Sequence, residues 1–101
     1  MISKYDSDWV DGIIRDYKPF KENLPKMLSH FPKDLECPED IKRWICGLAG
    51  SKESLETTLT LPRDRYSGAS IREVIERKDY QDLREYLVFS YQLMICGPSS
   101  Q

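Results

Sequence analysis

The chain has 101 residues, of which 40% are hydrophobic and 11% aromatic, and its formal net charge is −2. This length fits one domain with one core, and the aromatic content argues against intrinsic disorder. Fifteen basic and seventeen acidic residues nearly balance each other. We therefore expect no non-specific attraction to nucleic acid or to anionic lipid.

No apolar run approaches the roughly 18–20 residues that span a membrane. The N-terminal segment MISKYDSDWVDG is polar and acidic, unlike a secretory signal. We therefore expect a cytoplasmic protein with no membrane association. The three cysteines, Cys37, Cys46 and Cys96, include no C-x-x-C pair, and in a reducing compartment we expect buried or partly buried thiols.

Apolar residues recur at helical spacing through the first half of the chain. Ser7 is a candidate N-cap for a first helix, which ends or bends at Pro19. A second helix is predicted to have Pro25 in its first turn and to stop at Pro32, and a third begins at Pro38. The apolar positions of these three helices are Trp9, Val10, Ile13, Ile14, Tyr17, Phe20, Leu24, Met27, Leu28, Phe31, Ile41, Trp44, Ile45 and Leu48.

A polar loop, LPRDRYSGAS, separates two helical stretches in the second half of the chain. The helix before the loop starts after Ser51. Pro62 cannot continue that helix, and Gly68 can take the positive φ that a return turn often requires. Ser70 and Glu73 form an S-x-x-E capping box, which predicts that a new helix begins at the residue after the serine.

The last helix is predicted to follow Asp79 and to close at Gly97-Pro98. Its LVFSYQLMI segment continues the helical period of the residues before it, which favours a helix over a strand. Apolar residues surround much of this helix, whereas a bundle of this size buries one stripe well. We expect either that the excess meets a second copy or another protein, or that this helix is central in the bundle.

These elements predict an all-α fold: a compact bundle of five or six short helices in one domain. Strict alternation of apolar and polar residues, the pattern of a half-buried strand, is absent. The expected organisation is a single domain over 1–101, with N-terminal helices in 1–50, a helix–loop–helix in 51–97 and a tail at 98–101.

The sequence contains few of the residue patterns that enzymes use for catalysis. His30 is the sole histidine, and no catalytic partner stands at motif spacing from it. No H-E-x-x-H, C-x-x-C, calcium-loop or glycine-rich phosphate-loop motif occurs. We therefore expect no catalytic residue, no metal site, no cofactor and no enzymatic activity.

Arginine is concentrated in the second half, where five of the seven arginines lie between Arg63 and Arg84. Arginine and tyrosine are enriched at the energetic centres of protein interfaces. The alternative interpretation is a solvated loop and helix face with local ion pairs. The candidate partner-binding residues on the loop and the last helix are Arg63, Arg65, Tyr66, Arg84 and Tyr91.

The stretch LTLPRDRYSGASIREVIERKDYQDL resembles part of a known family. Antitoxins with the MbcA/ParS/Xre toxin-binding domain have a helix ending in Trp-Leu, two spacer residues and a proline. An Asn-x-x-Leu-Gly-Gly-x-Ser-Pro loop, a short helix and a closing helix follow. The positions that match are Leu59, Pro62, Gly68 and Ser70, with Tyr66 in place of the loop leucine, and those that depart are Thr58, Arg63, Ser67 and Ile71.

The resemblance implies a protein that binds and blocks a toxin enzyme, with the loop from Arg63 to Tyr66 and the C-terminal helix as contact elements. Our first hypothesis is accordingly an antitoxin or immunity protein that occludes a partner enzyme. One alternative is a small DNA-associated regulator, and another is a dimeric structural adaptor, so a homodimer stays open. The basic residues that would contact phosphates in the regulator are Arg72, Arg77, Lys78 and Arg84.

Overall fold

The computed structural model describes residues 7–96, with side chains for residues 8–95. A short 3-10 turn lies between the fourth and fifth of its α-helices, and the described residues include no strand. The predicted all-α bundle of five or six helices is confirmed. The helices are α1 (Ser7–Asp16), α2 (Lys18–Leu28), α3 (Glu39–Leu48), α4 (Lys52–Thr60), α5 (Ile71–Glu76) and α6 (Tyr80–Cys96).

The break between α1 and α2 is a single residue, Tyr17, whose backbone is extended (φ −88°, ψ 114°). Pro19 lies in the first turn of α2, where its missing N–H is not needed. The prediction that Pro25 occupies a first turn is wrong, because this proline lies inside α2. Phe20 and Met27, both buried, anchor α2 on either side of Pro25 and hold the helix together across it.

α3 is the central helix of the bundle and packs against α1, α2, α4 and α6. Four of its side chains have no exposed surface, which leaves little of the helix facing solvent. One of the two alternatives drawn from the sequence of α6 places it at the centre of the bundle. In the structure α6 packs closely against three helices, α1, α3 and α5, whereas α3 packs against four and holds the central position. The fully buried residues of α3 are Ile41, Trp44, Ile45 and Cys46.

Two predicted helix starts are confirmed by their hydrogen bonds. The Ser51 hydroxyl accepts from the backbone N–H of Ser54 (3.0 Å) at the start of α4. At the start of α5, the Ser70 hydroxyl accepts from the Glu73 N–H (3.2 Å), and the Glu73 carboxylate accepts from the Ser70 N–H (2.9 Å). This reciprocal pair is the capping box that the sequence predicts.

The helices enclose one continuous core. The Cα radius of gyration of the protein is 13.1 Å, close to the ~13 Å of a compact domain of 100 residues. α6 contributes Leu83, Leu87 and Tyr91 to this core. Three predictions lie outside the described residues or side chains: the Ser7 cap, the close at Gly97-Pro98 and the tail at 98–101.

A candidate protein-binding surface

The loop between α4 and α5 closes on itself through its backbone. The Arg63 N–H donates to the Ala69 carbonyl (3.1 Å), and the Arg63 carbonyl accepts from the Gly68 N–H (2.9 Å). Ser67 (φ 55°) and Gly68 (φ 92°) turn the chain through the left-handed region. The loop is therefore a compact turn that holds its side chains against the helices.

Arg63 points inward from this loop and is half-buried. Its Nη1 donates to the Tyr86 hydroxyl (3.2 Å) and its Nη2 to the Thr58 carbonyl (3.0 Å). Its Nε is buried and has no acceptor among the described residues. The guanidinium thus joins α4, the loop and α6, with one donor left unsatisfied.

Arg65 and Tyr66 complete a cluster against α6. The Arg65 Nη2 donates to the Asp82 carboxylate (3.1 Å), and its guanidinium lies 5.4 Å from the centre of the Tyr86 ring. The Tyr66 and Tyr86 rings meet edge to face with centroids 5.7 Å apart. Burial raises the pKa of Tyr66, whose hydroxyl has no hydrogen-bond partner in the described part of the chain. Of the three loop candidates, only Arg65 is exposed.

The two candidates on α6 are engaged inside the fold. Arg84 donates to both carboxylate oxygens of Asp40 (2.7 and 3.2 Å) and so ties α6 to the start of α3. Tyr91 is fully buried, and its hydroxyl donates to the Trp44 carbonyl (2.6 Å). The structure therefore corrects the placement of Tyr91 on a contact surface: its position on the stripe of Leu83 makes it a core residue.

The last two turns of α6 carry exposed apolar residues. Met94 follows Leu83, Leu87 and Tyr91 at helical spacing, yet it is 60% exposed, because the core does not continue beneath the end of the helix. We call the four exposed apolar side chains here the α6 surface. They are Phe89, Leu93, Met94 and Ile95.

A groove of about 320 Å³ runs beside the α6 surface. The sequence indicated excess apolar residues on the last helix and Arg63 as a candidate contact residue, but it did not predict that Arg63 and this helix line one groove. The signal for the α6 part of the lining is the recurrence of Tyr86, Leu93 and Met94 on a side of α6 that adjoins the buried stripe of Leu87 and Tyr91. The walls include Leu48, Thr58, Arg63, Ile71, Tyr86, Ser90, Leu93 and Met94.

Other chemical groups are dispersed. His30 is exposed, and within the described range no three histidine, cysteine or acidic side chains converge on a common point where a metal ion could bind. Burial raises the pKa of the Cys37 thiol to about 12 and that of Cys46 to about 11. None of the described helices combines the length and the apolar character needed to cross a membrane.

Most of the basic residues considered for phosphate contact are paired with carboxylates. In each pair the carboxylate neutralises the cation that a phosphate would otherwise contact. Among the described residues, Arg77 is the member of this set that forms no ion pair. The pairs are Arg72 with Asp34 (2.7 Å) and Glu76 (3.6 Å), Lys78 with Glu36 (3.6 Å), and Arg84 with Asp40 (2.7 Å).

No protein-family model matches the chain, and neither the curated proteins nor the solved structures contain a significant match to it. The resemblance to the toxin-binding domain therefore has only the residues quoted for it as support.

Proposed function

We propose that this chain is a small cytoplasmic binding protein that neutralises a partner enzyme by covering its active site, as an antitoxin or immunity protein does. The observation that carries the proposal is the α6 surface, where Met94 and Phe89 are 60% and 49% exposed. Phe89 and Leu93 lie one turn apart on the same face of α6, and exposed apolar patches mark interaction sites in soluble proteins. The proposed mechanism needs contact alone and no reaction by this chain.

The loop cluster supports the same proposal because it lies beside the α6 surface. Arg65 is the exposed member of the loop, with 41% of its side chain accessible. A polar, charged rim beside an apolar centre is the usual anatomy of a protein interface. Arg65 would therefore contact the partner at the edge, and the α6 surface would form the centre.

The test begins with capture of partners by the tagged chain from its native cells, compared with the Met94→Asp variant. We expect one stoichiometric partner with the wild type and its loss with the variant, because a charged side chain at the centre of an apolar interface loses its hydration. The control is Leu28→Asp, the same kind of change at a leucine of α2 that is 37% exposed.

The captured enzyme is then assayed with and without the purified chain. Inhibition by the wild type at a 1:1 ratio, weakened in Met94→Asp and retained in Leu28→Asp, is the expected result. A captured enzyme whose activity is unchanged would contradict neutralisation. Arg65→Ala should weaken binding less than Met94→Asp, since rim contacts contribute less.

The dimeric adaptor is a second candidate because the α6 surface could equally face a second copy of itself. The two proposals differ in the oligomeric state of the purified chain. A concentration-independent monomer favours neutralisation of a different protein, and a dimer that dissociates in Met94→Asp favours the adaptor.

A further inference from the structure

Among the described residues that line the groove, Arg63 is the one that carries a charge. Both of its described acceptors, the Tyr86 hydroxyl and the Thr58 carbonyl, are neutral. Every other arginine of the described chain except Arg77 pairs with an aspartate, as Arg65 does with Asp82. Because no carboxylate of the described residues lies at ion-pair distance from Arg63, the groove has an unbalanced positive charge at its wall.

The unsatisfied donor of Arg63 points to the same need. Its Nε is buried without an acceptor in the described part of the chain, whereas most buried donors in folded proteins are satisfied. A carboxylate is the group that best matches a guanidinium, in both charge and planar geometry. An acidic side chain entering the groove would supply that counter-charge.

The shape of the groove favours a helical occupant. Its α6 wall extends from Tyr86 to Met94, a distance of about 12 Å, or roughly two turns. An extended peptide would leave its N–H and C=O groups against apolar walls, and the described residues offer no strand edge to pair with them. A helix satisfies its own backbone and presents apolar side chains at i, i+4 and i+7.

We propose that the groove binds an amphipathic helix of the partner protein, and that an aspartate or glutamate of this helix pairs with Arg63. The inference rests on the proposed function, since it names the part of the partner that the surface recognises. Leu93 and Met94 contact the apolar face of the bound helix, and Arg63 fixes its register.

The test uses a phage-displayed library of random peptides, each about 15 residues long, because shorter isolated helices are only marginally stable in water. Selection against the wild-type chain should enrich peptides with apolar residues at i, i+4 and i+7 and one acidic residue at a fixed offset. Leu93→Asp should abolish binding of these peptides. Leu28→Asp, the same change at a leucine of α2 that is similarly exposed and lies outside the groove lining, should retain it.

A synthetic copy of an enriched peptide then tests the ion pair without altering the protein. Changing its acidic residue to the matching amide should weaken binding about tenfold. The same peptide change should have no effect on an Arg63→Gln chain, and its full effect on the control Arg77→Gln. Comparing the effect of the peptide change on these chains tests whether the acidic residue pairs with Arg63. The comparison stands even if Leu93→Asp fails to fold, because it does not use that variant.

Three results would overturn the inference: no enriched peptide, enriched peptides without a conserved acid, or an undiminished effect of the peptide change on Arg63→Gln. A wild-type chain that is a dimer and becomes a monomer in Leu93→Asp would show a second copy in the groove and would also overturn it. Capture and inhibition of a partner enzyme alongside a failed selection would leave the proposed function standing, so the two failures are distinguishable.

Discussion

Gly47 lies where α3 packs against Tyr91 of α6 and Ile14 of α1. A Cβ built at this position would clash with the Tyr91 hydroxyl and would lie 3.4 Å from Cγ1 of Ile14. The Gly47 carbonyl also accepts from Nδ2 of Asn23 (3.2 Å), which ties α2 to the same point. Lack of space, rather than backbone freedom, is what requires glycine here.

We predict that Gly47→Ala lowers the free energy of unfolding by about 1–3 kcal/mol, because overpacking forces neighbouring helices apart. Denaturant unfolding followed by circular dichroism measures the change. Gly50→Ala is the matched control, since nothing lies within 4 Å of a Cβ built at Gly50, and it should alter stability by less than about 0.5 kcal/mol. Equal losses in the two variants would contradict the packing explanation.

The Asp40–Arg84 pair should make stability depend on pH at the acidic end. The hydrogen bond from Arg84 is the main reason why the pKa of Asp40 lies below its ordinary value of 3.8. A carboxyl whose folded pKa is depressed stabilises the protein above its unfolded pKa, and this contribution is lost as the pH falls through the folded pKa.

We predict that Asp40→Asn costs about 1 kcal/mol of unfolding free energy at pH 7 and progressively less below about pH 4. Urea unfolding of both proteins across this range gives the difference. Asp16→Asn is the control, because Asp16 forms an exposed pair with its neighbour Arg15 (3.4 Å). A constant difference between wild type and Asp40→Asn down to pH 2 would rule out the ion pair as its cause.

At the scale of elements, α2 contains a proline in its interior. Pro25 is exposed, and its ring removes one backbone hydrogen bond and crowds the preceding turn. We predict that Pro25→Ala stabilises the protein by about 1–3 kcal/mol, as measured by thermal unfolding. Pro19→Ala, in the first turn, should bring no such gain. A destabilised Pro25→Ala would indicate that the proline is needed where it stands.

Helix starts were the most predictable elements, because each depends on a few adjacent residues. The Ser70–Glu73 capping box and the Ser51 cap are hydrogen bonds between residues three positions apart, so the local sequence predicts them directly. Pro25 was misplaced because a proline inside a helix and one in a first turn leave the same sequence signal. Burial of Phe20 and Met27 on either side of Pro25, which depends on the helices packed over them, decides between them.

The candidate site was less predictable, because exposure depends on where the other helices end. Tyr91 and Met94 share one stripe of α6, but α3 covers the first and no described element covers the second. The inward turn of Arg63 depends on the Tyr86 hydroxyl, 23 residues along the chain. Neither fact is encoded in local spacing.

At the scale of the whole molecule, ion pairs connect elements that are distant in the sequence. They neutralise most of the cations that the DNA-associated alternative would need. The pairs that join different elements or their connecting segments are Arg43–Asp11, Arg65–Asp82, Arg72–Asp34, Lys78–Glu36 and Arg84–Asp40.

We therefore predict that the chain binds duplex DNA only non-specifically, with a dissociation constant of about 10⁻⁴ M or weaker at physiological salt. Fluorescence anisotropy of a labelled duplex between ~50 and ~200 mM salt measures this. A tight complex with a steep salt dependence would instead support the regulator.

Cys46 lies fully buried in the last turn of α3. Because burial raises its pKa to about 11, it remains a protonated thiol at neutral pH, whereas the thiolate is the form that attacks alkylating reagents. Modification of Cys46 by iodoacetamide therefore requires the central helix to separate from its neighbours. In a chain with Cys37 and Cys96 replaced by serine, the rate of Cys46 alkylation would therefore report how often the core opens to solvent.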